Sequence, residues 1–262
     1  MMGLRSMLLT ALLVVDLAQA QGPFQLAPPL LKASSLFYTE SAEVTMAFAH
    51  PGAAIRYSFV HEQPGPDDSV YTKPLVVTAP MATLYARSYA AGYLPSDAAS
   101  LTLIKDGLPL ATVNATPPHP RYPGSGPSTL YDNRGGTPSI GSPDWLGYDV
   151  DSIDLWINLH SAQSVKKVLL DFLQNEDSWV FLPGQVIAYG ITRQGPVELA
   201  RQAHDPEVYH PGSRCVPLVL KLAPQLALDQ LHIIIKGIKQ LPAWHSGKGQ
   251  HAWVFIDEIK IY

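Results

Sequence analysis

Short stretches in which apolar and polar residues alternate run through the chain and predict β-strands. In the first half, Val44 and Met46 alternate with smaller or polar neighbours, and three further stretches repeat this pattern. A turn rich in Pro, Gly and Asp lies at residues 63–68. The spacing predicts a small immunoglobulin-like antiparallel sandwich over residues 35–104, with strands at 43–49, 55–59, 83–89 and 101–104.

The second half of the chain, residues 131–262, predicts a larger β-sandwich. Its strand patterns are irregularly spaced and separated by long loops, and no long amphipathic helix stands out. A jelly roll fits this arrangement, because its loops gather at two ends where they can carry a ligand site. The fold class is therefore expected to be all-β, with strands here at 153–159, 165–172, 185–191, 216–222, 231–235 and 253–262.

The remaining segments predict export and a connection between two domains. Arg5, an apolar run at 7–15 and Ala18-Gln19-Ala20 form the pattern of a cleaved signal peptide, residues 1–20. We expect a leading segment at 21–34 and a Pro- and Gly-rich linker at 105–130. The mature protein is thus expected to be secreted, in the periplasm or outside the cell.

Composition narrows the possible partners. Charged residues make up 15% of the chain and the net charge is −4, which argues against nucleic acid binding. After the signal peptide, no run of about 18 consecutive apolar residues predicts a membrane span. The single cysteine, Cys215, cannot form an intramolecular disulfide and is expected to be a small buried apolar residue.

Aromatic residues beside loop signals are the main candidates for function. An indole offers a flat apolar face and one N–H donor, which suits the C–H face of a pyranose. For each ring the alternative is that it fills the core or braces a loop, and Trp156 and Trp253, inside predicted strands, are expected to do so. The candidate ligand-binding residues are Trp145, Tyr148, Trp179, Phe181 and Trp244, with His245 and Asp177, and further Glu176 and Arg134, for polar contacts.

Familiar catalytic motifs are missing from the sequence, and only a Ser-His-Asp arrangement, which is defined in space, stays open. It contains no Gly-x-Ser-x-Gly, no His-Glu-x-x-His, and no P-loop or dinucleotide fingerprint. The adjacent carboxylates Asp257 and Glu258 lie in a predicted strand, so their side chains should point to opposite faces. Glycoside hydrolysis instead needs two carboxyl groups across one cleft. We therefore expect a binding protein rather than an enzyme.

Residues 131–262 resemble a discoidin-like (coagulation factor 5/8 type C) carbohydrate-binding module. The resemblance is carried by Asp-Trp-Leu-Gly-Tyr at 144–148, Trp-Val-Phe-Leu-Pro at 179–183, Pro-Ala-Trp-His at 242–245 and the run at 252–259. The module is similar to the C-terminal appendage of bacterial family-20 β-hexosaminidases. Such a module implies a galactose-binding-like jelly roll that binds glycans.

Residues 35–104 resemble the chitobiase C-terminal-like, fibronectin-III-associated β domain that precedes such modules. Ile-Arg-Tyr at 55–57 and Leu-Tyr-Ala-Arg-Ser at 84–88 carry this resemblance. Between Ala20 and Ser35 there is no room for the catalytic barrel of a hexosaminidase. The two resemblances together imply the accessory parts of a glycosidase without its active site.

The resemblance also implies a cofactor and partners. Discoidin-like modules often hold a structural calcium ion, and Asp132 and Glu258 stand at the corresponding positions. The expected function is non-catalytic binding of glycans that contain N-acetylhexosamine. Two alternatives stay open: an adaptor that engages a partner protein, such as a separate glycosidase or a surface protein, and a remnant of a β-hexosaminidase.

Overall fold

The computed structural model describes residues 24–224 and 226–262, and the prediction of an all-β fold is confirmed. The predicted signal peptide lies outside the described residues. Among the residues that are described, none belongs to a helix long and apolar enough to cross a membrane.

The N-terminal unit is a sandwich of two sheets. Its strands are β1 (Leu30–Ala33), β2 (Phe37–Tyr38), β3 (Ala42–Ala47), β4 (Ala54–Ser58), β5 (Ser69–Val70), β6 (Leu75–Val77), β7 (Met81–Tyr89) and β8 (Ala99–Lys105). One sheet has the order β1-β3-β6 and the other β2-β8-β7-β4-β5. Val44, Leu84 and Leu103 are fully buried between them, as their alternation predicts. The leading segment is in part a strand, since β1 pairs with β3.

The C-terminal unit is a larger sandwich. Its strands are β9 (Leu110–Ala115), β10 (Gly124–Pro127), β11 (Leu146–Tyr148), β12 (Ser152–Ser164), β13 (Lys167–Gln174), β14 (Gln185–Thr192), β15 (Gly195–Ala203), β16 (Arg214–Lys221), β17 (Ala227–Lys236) and β18 (Val254–Ile261). Short 3-10 helices lie at Ser128–Tyr131 and Glu176–Ser178. A four-stranded sheet, β11-β18-β13-β16, faces a five-stranded sheet, β15-β14-β17-β12-β9. Ile153, Leu155 and Leu231 fill the space between these sheets.

Part of the predicted linker belongs to this second sandwich. Residues 110–115 form β9, which pairs with β12, and Val113 is buried in the main core. Leu108 N donates to Ile261 O at 2.7 Å. These residues of the predicted linker 105–130 thus form an edge strand of the second sandwich and pack apolar side chains into it.

The two sandwiches contact each other through a small apolar cluster. Phe37 and Ile104 of the first unit pack with Leu169 of the second, and all three are buried. Tyr262 donates a hydrogen bond from its hydroxyl to Lys105 O at 2.5 Å. The junction is thus packed rather than a flexible connection.

Candidate functional site

Three loops meet at one end of the C-terminal sandwich. Because Gln185 pairs with both Lys236 and Ala203, the loop before β14, the loop after β15 and the loop after β17 leave the sheet at the same end. They are residues 175–184, 204–213 and 237–253. Between them lies a cleft of about 380 Å³ lined by Asp177, Tyr209, Trp244, His245 and Ser246. We refer to it as the loop-end cleft.

Trp244 is one of two exposed rings of the loop-end cleft, with 37% of its surface accessible, and Tyr209 is the other. Its indole Nε1 donates to Pro206 O at 3.2 Å. The ring centroid lies 5.1 Å from that of Tyr209 and 5.9 Å from that of Phe181. The indole is therefore held by a hydrogen bond and two aromatic neighbours while part of it stays open to solvent.

Asp177 supplies a carboxylate beside this ring. The Tyr209 hydroxyl donates to Asp177 Oδ1 at 2.9 Å, and this hydrogen bond raises the pKa of Tyr209. Both side chains are exposed. A carboxylate has about four acceptor positions, so Asp177 keeps acceptor capacity for the hydroxyl groups of a ligand.

His245 supports the loop-end cleft with both ring nitrogens engaged. Nε2 lies 2.8 Å from Glu176 O, and Gly247 N donates to Nδ1 at 3.0 Å. This network assigns the proton to Nε2. The side chain is only 5% exposed. The prediction that His245 gives polar contacts to a sugar is therefore wrong for its nitrogens, because the protein already uses them.

Phe181 and Trp179 brace the loop-end cleft from behind. Phe181 is 1% exposed, so the prediction that it stacks on a ligand is wrong. Trp179 is half-buried at the end of the second 3-10 helix, with a φ of 69°. Its ring lies against Gly247, where an added Cβ would be 2.5 Å from the ring, and edge-on to His245. Both rings pack against His245, the residue next to Trp244 in the chain.

Trp145 and Tyr148 do not join the loop-end cleft. Each is 1% exposed. Trp145 packs with Leu173 and Phe255 and donates from Nε1 to Thr137 O at 2.9 Å. Tyr148 belongs to the main core between the sheets. The prediction that these two rings bind a ligand is wrong, because the protein itself covers them.

Glu176 anchors the loop that carries Asp177. It is 2% exposed, and its carboxylate accepts hydrogen bonds from Gln174 Nε2 at 2.6 Å and from His210 N at 2.7 Å. Glu176 is thus a support rather than a ligand contact. The sequence reasoning missed Tyr209, although its neighbours Pro211 and Gly212 give the same loop signal as the chosen tryptophans.

The residues proposed for calcium do not fit that ion. Glu258 is fully buried, and Lys260 Nζ lies 2.9 Å from its Oε2. The same ammonium lies 3.1 Å from Asp106 Oδ1 and donates to Asn133 Oδ1. Burial raises the pKa of Glu258 to about 7, although Lys260 opposes this.

Asp132, the other residue proposed for calcium, accepts a hydrogen bond from Arg134 N. Within the described ranges, no three metal-binding side chains cluster. A lysine ammonium already fills the place of a cation here.

Two buried carboxyls lie on neighbouring strands, Asp171 on β13 and Asp257 on β18. They are 5% and 0% exposed, and Gly136 N donates to Asp257 Oδ2 at 2.5 Å. Burial raises the pKa of both carboxyls, that of Asp171 to about 7. Burial also raises the pKa of the Cys215 thiol. Neither carboxyl lines the loop-end cleft.

The N-terminal sandwich carries a larger groove of about 670 Å³. Several of its lining residues are exposed and apolar, among them Val60, Val76 and Met81. Glu62 is its one acidic group and no tryptophan lines it. The chemistry of this groove therefore differs from that of the loop-end cleft.

Comparisons with known proteins give distant structural neighbours only. No family model matches the chain, and no curated protein sequence does. The CBM32 of AlyQ in complex with 4,5-unsaturated mannuronic acid is 15% identical over 59% of this chain and 96% of its own, with a TM-score of 0.37. A SusE-like protein is 10% identical over 88% and 95%, also at 0.37. The C-terminal domain of a chitobiase from Bacteroides fragilis is 10% identical over 59% and 91%, at 0.29. Scores this low do not identify the ligand of this chain.

Proposed function

We propose that this chain is a non-catalytic carbohydrate-binding protein and that its loop-end cleft holds one sugar ring against Trp244. A partly open indole, fixed from behind and next to the carboxylate of Asp177, carries this proposal. Sugar sites combine an apolar platform with a few directed polar groups. Stacking of this kind contributes on the order of 1–3 kcal/mol, by analogy with base stacking, so the affinity should be micromolar to millimolar.

The sugar class and the location belong to the same proposal. The resemblance of 131–262 to the appendage of family-20 β-hexosaminidases favours glycans that contain N-acetylhexosamine. The pattern at 1–20 favours export to the periplasm or beyond. The loop-end cleft has Asp177 as its one acidic lining residue, so a glycosidase mechanism with two carboxyl groups is not provided by these residues.

A glycan array tests the proposal, followed by calorimetric titration of the best ligand. Chito-oligosaccharides, N-acetylgalactosamine and neutral hexoses form the first panel. We expect binding that Trp244→Ala weakens about tenfold or more. Tyr93→Ala is the matched control, because Tyr93 is also an exposed ring, 41% accessible, but lies in the other sandwich. Equal affinity in both variants would exclude the loop-end cleft as the sugar site.

An adaptor role is the second candidate, and the groove of the N-terminal sandwich favours it. An apolar groove with residues as exposed as Val60, at 80%, and Val76, at 68%, suits a partner protein. In that case Val76→Asp should abolish capture of a partner glycosidase or surface protein and leave glycan binding unchanged. Release of chromophore from a nitrophenyl N-acetylhexosaminide would contradict both candidates.

A further inference from the structure

The outer face of the five-stranded sheet carries a row of side chains that crosses all five strands. The register pairs Trp156 of β12 with Asn114 of β9 and with His232 of β17. It also pairs His232 with Tyr189 of β14, and Tyr189 with Glu198 of β15. Directly opposite residues on neighbouring strands have Cβ atoms about 5 Å apart. These five residues therefore form one continuous line, which we call the sheet row.

The three rings of the sheet row are stacked on each other. Trp156 and His232 lie 3.8 Å apart between centroids with planes only 4° apart, and Tyr189 lies 6.2 Å from His232. His232 Nε2 is 2.7 Å from Asp154 Oδ1, which fixes the imidazole. One face of Trp156 is thus covered and held in place. Its other face lies on the side of β9, where Asn114 is exposed.

Trp156 is 39% exposed, although the sequence reasoning expected it to fill the core or brace a loop. Its neighbours in the chain, Leu155 and Ile157, are both buried in the core, so the alternation of the strand turns Trp156 outward. A ring that is held on one side and partly open to solvent is preorganised for a ligand, because little rotamer freedom is lost on binding.

The surroundings of the sheet row are polar, and their groups are largely bonded to one another. Asn158 Nδ2 donates to Thr112 Oγ1 at 2.8 Å, and Gln230 Nε2 donates to Asn158 Oδ1 at 2.8 Å. The two carboxylates next to the rings are engaged: Asp154 hydrogen-bonds to His232, and Glu198 forms an ion pair with Arg201 at 2.6 Å. Amides and hydroxyls are complementary to a neutral ligand that carries many hydroxyl groups.

We propose that the sheet row is a second binding surface, and that it takes a neutral polysaccharide segment. One pyranose stacks on the free face of Trp156, and the Asn114 amide hydrogen-bonds to its hydroxyls. Since β9 is an edge strand, the glycan continues past the sheet edge in one direction. The sheet row lies about 13 Å from the loop end, four residues along β17. This surface goes beyond the loop-end cleft and does not depend on it.

Fluorine NMR of protein labelled with 5-fluorotryptophan tests this proposal. Each tryptophan gives its own resonance, which Trp→Phe variants assign. The probes are soluble neutral polysaccharides and their oligomers: xylan, galactomannan, laminarin, dextran and chito-oligosaccharides. We expect at least one of them to shift the Trp156 resonance, and Trp156→Ala to weaken that binding about tenfold. The Trp244 resonance reports the loop-end cleft separately, so failure of one site is distinguishable from failure of the other.

Asn114→Ala provides a second variant at an exposed edge position, where folding should be unaffected. It should weaken binding about threefold, as expected for one lost hydrogen bond, and it keeps the test decisive if Trp156→Ala unfolds. A Trp156 resonance that no probe shifts overturns the proposal. So does a shift that depends on protein concentration without any glycan, since this face would then bind a second copy of the chain.

Discussion

Trp145 and Trp244 have similar surroundings in the sequence, but in the structure the first ring is buried and the second is partly exposed. Each lies beside a Gly- or Pro-containing loop, and each donates its indole N–H to a backbone carbonyl of another segment, Thr137 O or Pro206 O. Yet Trp145 is 1% exposed and Trp244 is 37% exposed. Loop signals around a tryptophan therefore predict an anchored indole, but they do not predict whether its faces are open.

The two tryptophans differ in exposure because different residues cover their rings. Gly136 lies directly over Trp145, so close that an added Cβ would be 2.3 Å from the indole. The chain before Trp145 thus folds over the ring and buries it. Trp244 has Tyr209 and Phe181 as tilted neighbours, which leave part of the indole exposed. We interpret the first tryptophan as a structural brace and the second as a ligand platform.

The largest expected contrast is in stability. Trp145→Ala should lower the free energy of unfolding by about 3–5 kcal/mol, because it empties a buried site. Trp244→Ala should lower it by about 1 kcal/mol or less, since its ring is partly solvated. Urea unfolding of the two variants checks this. Equal losses would show that Trp244 is also a brace.

The buried carboxyls Asp171 and Asp257 should make stability depend on pH. The folded-state pKa of Asp171, about 7, is above its unfolded value, because burial disfavours the charged form. Its contribution to stability should therefore fall as pH rises from about 4 to about 7, with a slope of at most about 1.4 kcal/mol for each step of one in pH. Unfolding of wild type and Asp171→Asn across this range measures the effect. A constant difference between them would contradict it.

Two glycine substitutions make the contrast sharper. Gly136→Ala pushes a Cβ into Trp145 and Gly247→Ala pushes one into Trp179. We expect the first to cost about 1–3 kcal/mol of stability through overpacking. The second should mainly displace the loop that carries Trp244 and weaken glycan binding. Thermal unfolding and calorimetry, applied to both variants, separate these effects. The assignment fails if Gly247→Ala leaves affinity intact.

A smaller effect is expected inside the loop-end cleft. Tyr209→Phe removes the hydroxyl that orients Asp177, and the loss should be about 0.5–1.5 kcal/mol of glycan binding. Asp177→Asn is the companion variant, because it keeps the shape of the side chain and removes its charge. Titration with the same glycan should find both weaker than wild type. Unchanged affinity in both would remove Asp177 from the site.

Calcium should have the smallest effect. The Lys260 ammonium already lies 2.9 Å from a Glu258 oxygen and 3.1 Å from an Asp106 oxygen, so millimolar calcium should leave the melting temperature unchanged. A thermal unfolding scan with and without chelator checks this. Lys260→Met is the variant to compare with the wild type, because it removes the ammonium. Clear stabilisation of the wild type by calcium would show that the ion binds at another group of ligands.

The alternation of side chains predicted ten of the 18 strands in the described residues, because strands such as β3 and β17 bury every second residue. It missed eight strands, and seven of them lie at sheet edges: β1, β2, β5, β6, β9, β11 and β15. Most of these are too short to show an alternation, and prolines at 109, 117 and 118 hide the pattern of β9. The same alternation could have placed Trp156 outward. The burial of Trp145 could not be predicted, since it depends on Gly136 reaching the ring through a loop.

The most direct test of the account is whether a bound glycan touches Trp244 and not Trp145. In 5-fluorotryptophan-labelled protein, titration with the best glycan from the array should shift the Trp244 resonance in a saturable manner and leave that of Trp145 in place. A saturable shift at Trp145 with none at Trp244 would contradict the assignment of the loop-end cleft as the binding site.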